Sequence, residues 1–225
     1  MNRRLVPSLL LPLLAVGGCS PWYGLRLDLF PDGVESVRGV NVTPIDFGYE
    51  PREDVVGAAI GPLHSDVRSV TGLHVAGLLA RSDGTTGVSA GLMVGADGDV
   101  DGVTVAPLVF TPYRHSDLGG EFDGAARGIQ LAGILLDFPH QRGVSIAGVL
   151  RARTLTGLGA GYVFTDVRDR MVGLSIGLVN RAKRLKGVQL GLLNRVAERA
   201  EWWRWMPLVN VGWDAGEDGD EVVRG

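Results

Sequence analysis

The sequence predicts an all-β domain of about twelve repeated strands, and three observations carry that prediction. Glycine opens a short run again and again, at Gly24, Gly39, Gly57, Gly72, Gly87, Gly102, Gly128, Gly143, Gly157, Gly173 and Gly187, with intervals of 15, 18, 15, 15, 15, 26, 15, 14, 16 and 14 residues. Within each run apolar residues recur at every second position, the period of a strand, and the three-and-four spacing of an amphipathic helix is missing. Short, charged, turn-prone segments separate the runs. Self-similarity at a fixed period decides a fold before any residue-level reading. It also accounts for 34 glycines in 225 residues, about twice the average usage.

The chain opens on a leader. Arg3 and Arg4 make a basic start, residues 5–16 are apolar, and Gly17 and Gly18 precede Cys19, the single cysteine. That order of basic, apolar and small residues is the pattern of a secretory signal. The apolar run is shorter than the roughly twenty residues a membrane-spanning helix needs. Residues 16–19 also resemble the lipobox of bacterial lipoproteins, with Val16 where leucine is usual, and the resemblance implies lipidation of Cys19 as the new first residue. Residues 1–18 are assigned as a lipoprotein signal peptide, 19–213 as the β-repeat domain, and 214–225 as an acidic tail expected to be disordered. The formal net charge is −3, and loss of Arg3 and Arg4 makes it more acidic. Such a balance, without a basic run, excludes a nucleic-acid partner. With Cys19 acylated no disulfide is available, so an exported domain must rely on burial and hydrogen bonds.

The repeat units have two faces. One is apolar throughout, as in Leu73/Val75, Val103/Val105, Ile129/Leu131, Leu174/Ile176/Leu178 and Val188/Leu190/Leu192. The other runs polar, small, apolar: His74/Ala76/Leu78, Gln130/Ala132/Ile134, Ser175/Gly177/Val179, Gln189/Gly191/Leu193. Glycine weakens a strand by backbone entropy and by giving nothing to pack, so a small residue repeated at the place of Gly177 and Gly191 predicts close approach on an interior face. Turns are expected at 82–85, 96–101 and 166–169. The segment from Thr111 to Arg127 is expected to be a long loop and the place for surface recognition. Residues 207–213, PLVNVGW, make a twelfth unit without a leading glycine.

The units at 173–180 and 187–194, GLSIGLVN and GVQLGLLN, together with the closing segment 202–213, resemble a family of bacterial exported surface-repeat proteins. Earlier units such as 57–63 keep the spacing and lose the Gln and Asn. The resemblance implies an outer-membrane or cell-surface location and a repeat architecture, and it implies no particular activity.

Two closures fit twelve such strands. The expected one is an up-and-down antiparallel β-barrel, with strands of about ten residues, no free edges and every backbone group paired within the wall. Its apolar face would meet lipid and its polar, small face would line a lumen. The alternative is a β-solenoid, each unit one coil stacked on the next. Aromatic residues make up only 7% of the chain, thin for the girdles of a membrane barrel, and Pro44, Pro62 and Pro107 fall within units, where each removes a ladder N–H.

Chemical motifs are few. Residues 97–102, DGDVDG, copy the first half of a calcium-binding loop, but the twelfth position, which should be a bidentate Glu, is Leu108. Gly157, Gly159 and Gly161 approach a dinucleotide fingerprint with no helix to follow. His64, His74, His115 and His140 lie in different units without metal-ligand spacing, and no nucleophile elbow is present. No catalytic residue, metal ligand or cofactor is assigned. The expected function is a non-enzymatic outer-membrane or cell-surface lipoprotein with a structural or porin-like repeat domain. Its partner would be membrane lipid, through Cys19 and the barrel wall. The alternative is a surface-exposed repeat scaffold that binds a protein or glycan.

Overall fold

A computed structural model describes residues 22–27, 36–43, 53–112, 123–200 and 203–213. The all-β expectation holds; the antiparallel barrel does not. The chain is a parallel β-solenoid. Residues 1–18, assigned from the sequence to a signal peptide, Cys19, Pro44, His115, most of the long loop and the acidic tail lie outside the described residues.

From β3 onward the coils carry a long strand, which holds the repeat glycine, and a short segment. Strands β1 (Trp22–Leu27), β2 (Ser36–Val42) and β3 (Asp54–Gly61) are long strands stacked parallel. Strands β4 (His64–Ala76) and β5 (Leu79–Ala90) each run through a short segment, a bend and the long segment of the next coil. Strands β6 (Met93–Ala96), β8 (Val109–Thr111) and β10 (Leu135–Asp137) continue the short column, while β7 (Val100–Ala106) and β9 (Ala125–Ala132) continue the long one. Strand β11 (His140–Val196) is extended over 57 residues, which laid straight would reach roughly 190 Å. It instead winds through the units of Gly143, Gly157, Gly173 and Gly187, each glycine seated on the carbonyl of the one before.

Register explains why the barrel fails. Gly24 pairs with Gly39, Gly39 with Gly57, Gly57 with Gly72, and so on to Gly143. Only parallel neighbours can bring the same position of every unit into one column, because successive strands of a meander run in opposite directions. All eleven column glycines have φ between +107° and +140°, a backbone that side chains disfavour. From Gly39 onward a Cβ at each would strike the carbonyl oxygen of the preceding glycine. Position and conformation are thus fixed by the stack itself.

The expected turns at 82–85 and 166–169 are bends within extended backbone rather than hairpins; Val67↔Ser82 and Ser69↔Gly84 pair on both sides of the first. Pro62 and Pro107 sit between a long strand and a short one, where no long-ladder N–H is lost. The interval of 26 residues after Gly102 comes from added residues between β8 and β9, yet Gly102 still pairs with Gly128, as slowly growing loop entropy permits. Ala125 to Arg127, assigned to that loop from the sequence, already belong to β9.

The stack ends on β12 (Trp205–Trp213), which turns back and pairs antiparallel with the last coil, Gly187 against Gly212 and Leu190 against Val209. A shift of register separates Gly191 from Asn194, beside Pro207 and the left-handed Leu208. A reversed strand with a proline and an irregularity is a poor template for a further coil, as a solenoid end requires.

The interior lies between the two columns. Val37, Val55, Val70, Val100, Leu155, Met171 and Leu185, each two residues before its glycine, are buried. The short column adds Val94, Phe110, Leu136 and Leu150, and Phe110 stacks on Phe138 with ring centroids 5.1 Å apart. The glycine column gives the first prediction. Gly143→Ala places a side chain at φ +117° against the carbonyl of Gly128 and should lower unfolding free energy in urea by about 3 kcal/mol or more. Gly84→Ala, where an added Cβ meets only ordinary contact at 3.4 Å, should stay within about 0.5 kcal/mol.

Candidate interaction surface

The long-strand sheet turns its polar, small face inward. Asn41, His74, Ser89, Thr104, Gln130, Ser145, Ser175 and Gln189, each two residues after its glycine, are buried, and Asn210 of β12 extends the row beside Gln189. Buried polar groups ordinarily need partners; several of these find one in the interior, while the Ser89 and Thr104 hydroxyls have none among the described residues. Asn41 Nδ2 donates to Glu53 at 3.0 Å, His74 Nε2 meets Ser65 Oγ at 3.1 Å, and Ser145 Oγ donates to Gln130 at 3.3 Å. The interior assignment made from Gly177 and Gly191 agrees: a Cβ at Gly191 would strike the carbonyl of Gly177 and the amide of Asn180.

The asparagines of the two strongest repeats turn the corner. Asn180 and Asn194 are fully buried one coil apart, with Asn180 Nδ2 donating to Asn194 Oδ1 at 2.8 Å. Each also reaches the carbonyl three residues back, Gly177 or Gly191, and one in the next layer, Leu190 or Met206. A side-chain ladder of this kind satisfies backbone carbonyls where the strand bends away from its neighbour. A buried ion group lies beside the short column, where Arg81 reaches Asp66 at 3.2 Å and Asp97 at 3.6 Å. Its signal in the sequence was opposite charges one repeat apart, at positions 66 and 81.

The three carboxylates of the calcium-like segment diverge. Asp97 faces Arg81, while Asp99 and Asp101 take the Arg127 guanidinium at 3.0 and 3.1 Å. The Ala125 N–H on Asp99 at 2.9 Å, ahead of Arg127, holds that carboxyl below its ordinary range. Among the described residues no group of three or more His, Cys, Asp or Glu side chains is placed to hold a metal ion.

His140 joins a hydroxyl and a carboxylate, with Thr154 Oγ1 2.7 Å from Nδ1 and Asp123 2.6 Å from Nε2. These are the residue types of a nucleophile, base and orienting acid. However, the backbone N–H groups of Arg153 and Thr154 both donate to the Pro139 carbonyl, so neither is free to serve as an oxyanion donor. Asp123 is shared with Arg153. The group ties adjacent coils together.

Outward, the same sheet presents two apolar rows. The first after each glycine runs Val40, Ala58, Leu73, Val88, Val103, Ile129, Val144, Leu158, Leu174 and Val188; the third after it runs Val42, Ile60, Val75, Ala90, Val105, Leu131, Ile146, Ala160, Ile176 and Leu190. Val211 and Val209 extend both rows onto β12. Leu73, Val88, Val105, Ile129, Leu131 and Ile176 are 36–43% exposed, high for large apolar side chains in one continuous patch. The face predicted to meet lipid is therefore an outer wall without a cover. Along one side runs a polar row containing Arg38, Thr71, Thr86, Asp101, Arg127, Arg142 and Lys186.

Near the C-terminal end, Tyr162, Leu178, Leu192 and Leu208 rim a depression of about 510 Å³ floored by Ala160, Gly177 and Gly191. A second, of about 520 Å³, lies among Arg199, Trp203, Met206, Val209 and Trp213 on the end of the stack. Trp205 is stacked under Arg195, 5.2 Å away. Comparison with family models, curated proteins and solved structures gave no match.

His74 gives the pH prediction. Burial holds its imidazole neutral, with the pKa lowered from 6.5 to about 4. The unfolded chain then binds more protons than the folded one between those values, so stability is complete above about pH 6.5 and falls as pH drops toward 4. The loss should reach about 3 kcal/mol. His74→Gln should flatten that part of the urea-midpoint profile relative to the unsubstituted chain; an unchanged slope would show that His74 does not carry it.

Proposed function

We propose that the protein is an exported, non-enzymatic repeat scaffold, tethered to a membrane through lipid on Cys19, that offers the outer face of its long-strand sheet to a partner. The observation that carries this reading is the pair of outer rows, apolar in every coil from Val40 to Leu190. Soluble chains rarely leave so continuous a patch open unless something docks on it. The leader and the lipobox-like residues 16–19 support export and tethering. A porin-like role needs an open lumen, whereas here the space between the columns is filled by Phe110, Leu136, Phe138, Leu150 and Leu155.

The test separates tether from wall. In fractionated bacterial cells the full chain should sediment with membranes and Cys19→Ala should appear folded in the soluble fraction. Retention of Cys19→Ala in the membrane would overturn a lipid tether. In the same background, Ile129→Lys and Leu131→Lys should keep cooperative unfolding and strand circular dichroism, while Ala147→Lys, on the buried face, should not. Loss of folding in the outer-row variants would mean that this face is core.

A further inference from the structure

We propose that the partner on the outer face is a second copy of this chain, packed sheet against sheet in a two-fold dimer; the proposal rests on the scaffold reading above and specifies its occupant. Parallel sheets are ordinarily covered on both faces, and their strands then read as nearly continuous apolar runs. Here the inner face is covered by the short column and the outer rows lack a cover, although their composition is that of a buried sheet: twenty positions from Val40 to Leu190, all Val, Ile, Leu or Ala.

The dimensions suit a second copy. Ten coils and β12, at roughly 4.8 Å per layer, make a face roughly 50 Å long, and two rows with their side chains are roughly 14 Å wide. That is on the order of 700 Å² per copy, against about 800 Å² per partner in a stable interface. The ridges of one copy have the same pitch and length as those of another, so two such faces can interdigitate at roughly 10 Å in the aligned manner of a sandwich. An isologous contact of this kind also closes on itself and leaves no apolar face for further growth.

The chemistry of the face favours protein over a lipid surface. Faces that lie in a bilayer carry Trp or Phe toward lipid and a basic border. The two rows contain no Trp or Phe, and the flanking row is mixed rather than basic, with Val56, Thr71, Thr86, Asp101, Thr156 and Val172 among Arg38, Arg127, Arg142 and Lys186, Arg127 being paired with Asp99 and Asp101.

The test uses the full chain with Cys19→Ala, so that lipid cannot drive association. Sedimentation at micromolar concentration should give twice the 23.9 kDa chain mass. Val105→Lys with Leu131→Lys, neighbours at the centre of one row, should raise the dissociation constant at least a hundredfold and give single copies, whereas Thr86→Lys on the polar row should leave the dimer intact. As a check that does not depend on the lysines being tolerated, Val105→Cys near the two-fold should form a disulfide between copies on mild oxidation, and Arg68→Cys should not. A single-copy mass for the parent chain, or a dimer that survives both lysines, overturns the proposal. If the parent is a single copy whose outer-row variants still fold, the scaffold reading stands with another occupant. Flotation of that single copy with phosphatidylglycerol vesicles would identify the occupant as membrane.

Discussion

Every coil is held at the spacing of a parallel ladder by one column of glycines. At each layer the backbone adopts φ above +100° and places the next glycine on its carbonyl, where no Cβ fits. This position sets the pitch of the stack and keeps equivalent residues aligned. The interior hydrogen bonds, the asparagine ladder and the outer rows follow from that alignment. Without register, Asn180 would not meet Asn194, and Asp66 would not meet Arg81.

Alignment also sorts the side chains. Residues two and four after the glycine point inward and are mostly small or polar, so His74, Gln130 and Gln189 are buried while Leu73, Ile129 and Leu131 stay outside. Along this stretch of the long strand the usual pattern of apolar inside and polar outside is inverted. Part of the cost of that inversion is offset where the stack supplies a polar partner, as Glu53 does for Asn41 and Gln130 for Ser145, since a satisfied buried group contributes rather than costs; Ser89 and Thr104 lack that compensation. The apolar contribution comes from the short column and from the row before the glycines, with Phe110, Phe138, Leu150, Leu155 and Met171 at its centre.

Much of this was legible in the sequence. The repeat positions, the strand period and the small interior face at Gly177 and Gly191 came from spacing alone. The closure did not, because period two says which residues share a face and says nothing about the direction of the next strand. The signal lay in the glycines: a residue at the same place in every unit stacks only if neighbours are parallel, whereas a meander would alternate it between strand ends. Prolines 62 and 107 pointed the same way, since both fit a bend and neither fits a barrel wall. The roles of Asn180 and Asn194 were harder to see, because corner hydrogen bonds depend on contacts between coils fourteen residues apart. Cys19 and the acidic tail are outside the described residues and remain readings of sequence.

The most direct test of a parallel, in-register stack is a ruler along one row. Nitroxide labels at position 71, paired in turn with labels at 142, 156 and 186, all occupy the position just before a repeat glycine, separated by four, five and seven layers. Pulsed dipolar spectroscopy should give distances that rise steadily with layer number, at roughly 4.8 Å per layer, to roughly 34 Å for the last pair. Distances that rise and then fall with unit number, as they would around a closed barrel, would contradict the solenoid and with it the glycine column on which the account depends.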